Sequence, residues 1–351
     1  MSTKLTIDTK ALVNNQRIIK ELAGKNGVSV SIVTKGLVGH EALVRLLVNN
    51  GADSICEASI QNLAKWDSLP AEKWLIRSPL PSETDEVVRY ADVSLVSERA
   101  VLEKLSASAA AQGKTHKAVI MLELGELREG CMPNELITLC EACLSLPGLE
   151  LHGVGAHLSS FNEIVPDESN MNALIQSAEE VENALGVKLS LVSGGSSSAV
   201  KMLEEGTLPA GINHLRIGEA ILLGNIVCYD VPFEGARTDA FSLEAEIIEV
   251  KEKPSQPWGE RAGHPERSGP PHSPSLRKRA LIAVGKQDVS SKYLAPEDPA
   301  IEIVGDTSDC MIADVTDSEI KYKPGDTLGF RVSYNGLVSA MASDYIEKIL
   351  I

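Results

Sequence analysis

Residues 189–224 read LSLVSGGSSSAVKMLEEGTLPAGINHLRIGEAILLG. A short apolar segment runs into glycines and serines and then into a helical spacing of apolar residues, and the second half repeats that succession. Two βα units in a row predict parallel strands, because a helical crossover returns the chain to the sheet in the same direction. The pattern extends upstream to Val28. The strand segments are VSVSIVT (28–34), DSICEA (53–58), KWLIRS (73–78), DVSLVS (92–97), KAVIMLEL (117–124), LELHGVGAH (149–157), LSLVSGG (189–195) and INHLRIGEA (212–220). Eight such units predict a TIM-like (β/α)8 barrel rather than an open doubly wound sheet, with its chemistry at the carboxyl ends of the strands.

That rule selects Lys35, Glu57, Arg77, Arg128, His157, the serine-rich run 193–198, and Arg216 with Gly218, which should converge on one mouth. Beyond Gly224, FSLEAEIIEV, RALIAVGKQDV, IEIVGD, CMIADV and DTLGFRVSY follow one another without intervening helices, as in an antiparallel sheet. The expected class is therefore α/β, with a barrel over residues 1–234 and an antiparallel β-domain over 235–351. The Pro-, Gly- and charge-rich stretch from Lys253 to Arg279 reads as a long surface loop.

Composition narrows the function classes. With 49 acidic against 33 basic residues the net charge is -16, which argues against a phosphate backbone as partner and is compatible with a cationic small substrate. No apolar run approaches the length of a membrane span, and MSTKLTIDTK has no apolar signal core, so the expectation is a cytoplasmic protein. The six cysteines (Cys56, Cys131, Cys140, Cys143, Cys228, Cys310) are scattered, as reduced thiols are. Cys140 and Cys143 form a CxxC, but no second pair completes a zinc set, and their place in the apolar spacing of an amphipathic helix, NELITLCEACLSL, explains them.

Lys35 closes an apolar strand and precedes Gly36. A strand-end lysine is more often a surface cap than a nucleophile. In a barrel mouth, burial and neighbouring cations lower its pKa and free a neutral amine for Schiff-base chemistry. SGGSSSAV (193–200) and LRIGEAILLG (215–224) supply that context, because loops after the seventh and eighth strands are where barrels hold phosphate.

VTKG, LELGELREGC, GVGAHLSS, VSGGSSSAV and LRIGEAILLG, in this order, resemble the alanine racemase type of pyridoxal 5′-phosphate (PLP) enzyme, fold type III, and in detail its ornithine and alanine racemase branch. The resemblance continues into the β-domain through RALIAVGKQDV, GDTSDCMIADV and FRVSYNGLVSAM. It implies that Lys35 is the Schiff-base lysine and the base on one face of the substrate α-carbon. It implies that His157 lies against the cofactor ring, Arg216 faces the pyridine nitrogen and Arg128 lies near the phenolic oxygen. Ser196, Ser197 and Gly218 resemble phosphate ligands, and Tyr334 resembles a β-domain tyrosine that also touches phosphate. A fixed cation at the ring nitrogen would restrain the electron sink and favour reprotonation over transamination. Taken singly, His157 reads as a satisfied core or surface residue and the arginines as salt-bridge partners; the ordered set points to the site.

Racemisation needs a second acid/base on the opposite face of the α-carbon. In alanine racemase a β-domain tyrosine of the partner subunit has this role, whereas AVGKQDV places Lys286 at that position here. Cys310, Lys286 and Asp309 are the alternatives, in that order, with a cation such as Lys286 expected to lower the thiol's pKa. The tyrosine that alanine racemases carry a few residues past the lysine is also missing from KGLVGH. The resemblance further implies a homodimer with shared active sites.

The expectation is thus a PLP-dependent racemase acting on a small-molecule amino-acid substrate, ornithine or another basic amino acid, with no metal. Asp288, Asp306 and Asp309, with the 253–279 loop, are acids that could recognise a distal ammonium group, or else solvated turn residues. A PLP lyase or decarboxylase of the same fold would place an acid at the ring nitrogen or add metal ligands. A non-catalytic PLP-binding protein would need no β-domain.

Overall fold

The computed structural model of the chain describes residues 3–257 and 275–351, which form two compact units. The chain opens on β1 (Thr3–Ile7), which belongs to the second unit. The first unit, Thr9–Thr238, is a closed barrel of eight parallel strands: β2 (Ser29–Val33), β3 (Ser54–Glu57), β4 (Glu72–Leu75), β5 (Val93–Val96), β6 (His116–Met121), β7 (Leu149–Gly155), β8 (Leu191–Ser193) and β9 (His214–Ile217). Each lies on one of the eight predicted segments. Closure comes from β2 pairing with β9, Val30 opposite Leu215 and Ile32 opposite Ile217.

The strands read as near-continuous apolar runs because both faces are covered. All four residues of β5 are buried, and Val33, Cys56, Trp74, Leu95, Val119 and Met121 pack together in the interior. The helix Pro133–Ser145 buries Leu136, Leu139, Cys140 and Cys143. Burial pushes both thiols up to about 12, as expected of small apolar fillers. Among the described residues no cluster of His, Cys, Asp or Glu could hold a metal ion, and no helix is long and apolar enough to cross a membrane. A short hairpin, β10 (Asn225–Ile226) and β11 (Val231–Pro232), follows the barrel.

The second unit comprises Met1–Asp8 and Asp239–Ile351. Its long strand β12 (Phe241–Pro254) pairs antiparallel with β1, with β13 (Leu276–Ile282) and with β17 (Thr327–Val332). β14 (Leu294–Pro296) flanks β17, while β16 (Met311–Asp314) and β15 (Glu302–Asp306) extend the sheet beyond β13. β18 (Glu347–Leu350) lies parallel to β1.

The division differs from the expected one at residue 235. Thr3, Leu5 and Ile7 alternate inward along β1 and find their partners more than two hundred residues away, Leu5 opposite Leu243. β1 therefore joins the β-domain. The Lys253–Arg279 stretch also opens as a strand pair, Lys253 opposite Arg277 and Pro254 opposite Leu276. The rest of the loop predicted there, residues 258–274, lies outside the described residues.

Candidate active site

Lys35 starts a single 3-10 turn, Lys35–Leu37, directly after β2. The strands paired with β2 carry an acid on each side: Glu57 ends β3, and Glu219 follows β9. Burial, and then the charge of Arg128, hold the Lys35 amine below its ordinary pKa, against the opposing pull of Glu129, Glu57 and Glu219. Glu57 is 2 % exposed; its Oε1 accepts from the Ala58 N–H at 2.7 Å, while Oε2 is buried without a partner. Burial raises the Glu57 carboxyl, although the N–H groups of Ala58 and Ser59 favour its ionised form. Burial and then Asp230 push Glu219 up to about 7, with Lys35 opposing. The amine thus stands between two carboxyl groups that both resist ionisation.

Arg216 is buried on β9. Its Nη2 donates to the Ala156 carbonyl at 2.7 Å and its Nη1 to Ser193 Oγ. His157, just past β7, is held well below its ordinary pKa by burial and then by Arg216, Arg128 and Lys35. Its ring is therefore neutral at physiological pH.

Ser197 Oγ accepts from the Gly218 N–H at 3.2 Å and from the Ala220 N–H at 3.1 Å, and Ser196 Oγ lies 3.2 Å from Ser198 Oγ. Two amide donors converging on one oxygen form a pair of the kind from which anions accept. Gly218 has no substitute here, because a Cβ would lie 2.9 Å from Val33 Cβ and 3.0 Å from its carbonyl oxygen.

Arg128 is gripped by the neighbouring Glu129 carboxylate and donates to Ser160 Oγ at 3.0 Å. Two residues earlier, Glu126 is 1 % exposed and gathers the loop after β7 around its carboxylate. Oε1 accepts from the N–H groups of Ser160 (2.6 Å), Phe161 and Asn162 (3.0 Å) and from Ser160 Oγ (3.0 Å). Oε2 accepts from those of Ser159 (3.0 Å) and Ile164 (3.1 Å). Burial opposes its ionisation, but the Phe161, Ser160 and Asn162 amides outweigh it and hold the carboxyl at about 2. Leu127, Ser159 and Glu163 take left-handed backbone conformations around it (φ 54, 63 and 57), strain that the surrounding bonds must sustain.

In the second unit, Lys286 and Cys310 occupy adjacent loops: the Lys286 N–H donates to Thr307 O at 3.0 Å, and the Cys310 N–H to Thr307 Oγ1 at 3.1 Å. Lys286 Nζ pairs with Asp306 at 3.4 Å. The expected lowering of the Cys310 thiol by Lys286 is not found within this unit; burial and then Asp309 push it up. The three acids considered for an ammonium site have local partners: Asp288 accepts from Ser343 Oγ (2.7 Å), Asp306 from the Ser291 N–H (2.7 Å) and Asp309 from Thr307 Oγ1 (3.0 Å). Tyr334 opens the helix Tyr334–Ala342, whose N-cap is Ser333.

The first unit therefore brings Lys35, Arg128, His157 and Arg216 within electrostatic reach of one another and sets Ser197 against Gly218. Sequence reading did not single out Glu126, Glu219 or His214. Glu126 stands in ELREG, which reads as surface, and only its five amide donors, all more than thirty residues downstream, distinguish it.

A family model described as the N-terminal domain of alanine racemase matches residues 7–225. An ornithine racemase from Acetoanaerobium sticklandii is 37 % identical over 353 residues, covering all of both chains. A lysine racemase from Thermotoga maritima is 33 % identical over 352 residues, covering 99 % of this chain and 98 % of that one. Among solved structures, an alanine racemase from Bartonella henselae with covalently bound pyridoxal phosphate superposes with a TM-score of 0.76 at 17 % identity, covering both chains fully.

Proposed function

This chain belongs to the alanine racemase family, and from that premise we propose that it interconverts the enantiomers of a basic amino acid with PLP held on Lys35. The observation that carries the reading is the half-buried Lys35 amine, with lowered pKa, in a mouth that also holds the convergent Gly218 and Ala220 amides and the Arg216 cation. End-to-end relatives named for ornithine and lysine support the substrate class.

These residues fit the cofactor. Lys35 would hold its aldehyde carbon, Ser196, Ser197 and Gly218 its phosphate with Tyr334 contributing from a β-domain, Arg216 its ring nitrogen, His157 its ring face and Arg128 its phenolic oxygen. When bound, PLP supplies an electron sink that acidifies the α-proton. Lys35 moves that proton on one face of the α-carbon, which requires the neutral amine that burial favours. Arg216 cannot give up its own proton and so stays a cation. Neutral His157 packs without adding charge. The opposite face is assigned to Cys310 or Lys286, reached in a homodimer whose subunits share active sites, in the cytoplasm.

The test is to incubate the purified protein and PLP with L-ornithine, L-lysine and L-alanine and resolve the products by chiral chromatography. D-ornithine or D-lysine is expected to form faster than D-alanine. No inversion of any of them, with the cofactor still attached to Lys35, would sink the function but not the cofactor assignment. The second base is identified by deuterium wash-in from each enantiomer. Either Cys310→Ala or Lys286→Met is expected to suppress exchange from one enantiomer only, and if neither does, both assignments are wrong.

A further inference from the structure

The inside of a (β/α)8 barrel is ordinarily filled with branched apolar side chains in layers. Here one column of it is polar. Arg216 Nη1 donates to Ser193 Oγ; Ser193 Oγ lies 2.8 Å from His214 Nδ1, His214 Nε2 lies 2.8 Å from Ser31 Oγ, and Ser31 Oγ lies 2.6 Å from Ser54 Oγ. Ser31 and Ser193 have no exposed surface, and His214 and Arg216 are each 3 % exposed. The far end of the column lines a cavity of about 420 Å3, together with Trp74, His152 and Leu191. Trp74 stacks on the His214 ring, with centroids 4.8 Å apart and planes 14° apart, which fixes the imidazole plane.

We propose that His214 is a positioning residue for Arg216, holding the guanidinium through Ser193 by a hydrogen-bonded column whose direction is fixed from the arginine outward. The direction follows from counting protons. Arginine has donors only, so Ser193 Oγ accepts from Nη1. The single Ser193 proton has one acceptor within reach among the described residues, His214 Nδ1, which is therefore unprotonated. The imidazole is neutral, since burial and then the Arg216 charge bring its pKa to about 3, so its proton sits on Nε2 and goes to Ser31 Oγ. Ser31 in turn donates to Ser54. Each bond is polarised by the one before it, and the charge at the top orients them all. With Nη2 held by the Ala156 carbonyl, both ends of the guanidinium fork are fixed.

The column itself stands on geometry alone; its catalytic consequence rests on the reading that Arg216 faces the cofactor ring nitrogen. The structural half is tested on the intact protein by NMR of 15N-labelled histidine and arginine side chains. His214 is expected as the Nε2–H tautomer. His214→Phe keeps the stacking ring but removes both bonds, and should speed exchange of the Arg216 guanidinium protons about tenfold, the scale of one lost hydrogen bond. His214→Gln, which can accept from Ser193 and donate to Ser31, should restore slow exchange. Should His214→Phe fail to fold, Ser193→Ala breaks the same link and is expected to give the same acceleration. An Nδ1–H tautomer, or unchanged exchange in both variants that break the link, overturns the proposal.

The functional half is read from the ratio of racemisation to transamination, which does not depend on the amount of folded enzyme. His214→Phe should lower the ratio and His214→Gln recover it; an unchanged ratio overturns the positioning role. If the wild-type enzyme racemises nothing, the function falls, while the tautomer and exchange results still decide the column.

Discussion

Replacing Lys35 by alanine is expected to lower racemisation by about 10³-fold or more, the scale of losing a positioned acid/base that also anchors the cofactor. Borohydride treatment should fix PLP covalently to the wild-type chain at residue 35 and leave the variant unlabelled. Lys35→Arg should be equally inactive, because a guanidinium stays protonated and cannot serve as the nucleophile. The fold should survive, since β2 keeps its apolar residues. Stability should move in the opposite direction from activity. The amine's folded pKa lies below its unfolded one, so the unfolded chain binds the extra proton and wild-type stability rises with pH between those two values. Below that window the folded protein carries a half-buried cation at a cost that Lys35→Ala removes. The cofactor-free variant should therefore melt no lower than wild type at neutral pH, by calorimetry of both proteins. Retained inversion, or a labelled site elsewhere, would exclude Lys35 from both roles.

Much of this site was readable because the barrel's rules are local. A strand buried on both faces shows itself as a short apolar run, and its carboxyl end follows by counting, so Lys35, His157 and Arg216 could be named from position alone. What was hidden depends on partners far apart in the chain. β1 is five alternating residues whose role is set by Leu243 and its neighbours. His214 sits in INHLRIGEA as one of several polar residues, and its meaning requires Ser31 to be brought beside it when β2 closes onto β9, with Ser54 following on β3. The contrast between Lys286 and Cys310 is also structural. The sequence sets a cation near a thiol, but Asp306 takes the cation, and Asp309 acts on the thiol with the opposite sign.

Glu126→Gln should loosen the loop after β7 by about 3 kcal/mol, a figure reached by two routes that read the same hydrogen bonds. The glutamine keeps the volume and one acceptor oxygen, which can still serve the Ser160, Phe161 and Asn162 amides. Its NH2 then faces the Ser159 and Ile164 N–H groups, leaving one buried and one half-buried donor without acceptors at about 1–3 kcal/mol each. The other route is linkage. A carboxyl held at about 2, against an ordinary glutamate value of about 4.3, stabilises the folded loop by about 3 kcal/mol once ionised. Because the folded pKa is the lower one, that contribution is complete above about pH 5 and is lost as the pH falls toward about 2. Native-state hydrogen exchange at neutral pH should show the amides of residues 159–164 exchanging about 100-fold faster in the variant, while the barrel strands stay protected. The acid-dependent loss of protection in the wild-type loop should disappear in the variant. Arg128 loses its Ser160 anchor when the loop opens, so kcat/KM should fall as well. If exchange at Ser159 and Ile164 is the same in both proteins, the carboxylate is not what holds the loop.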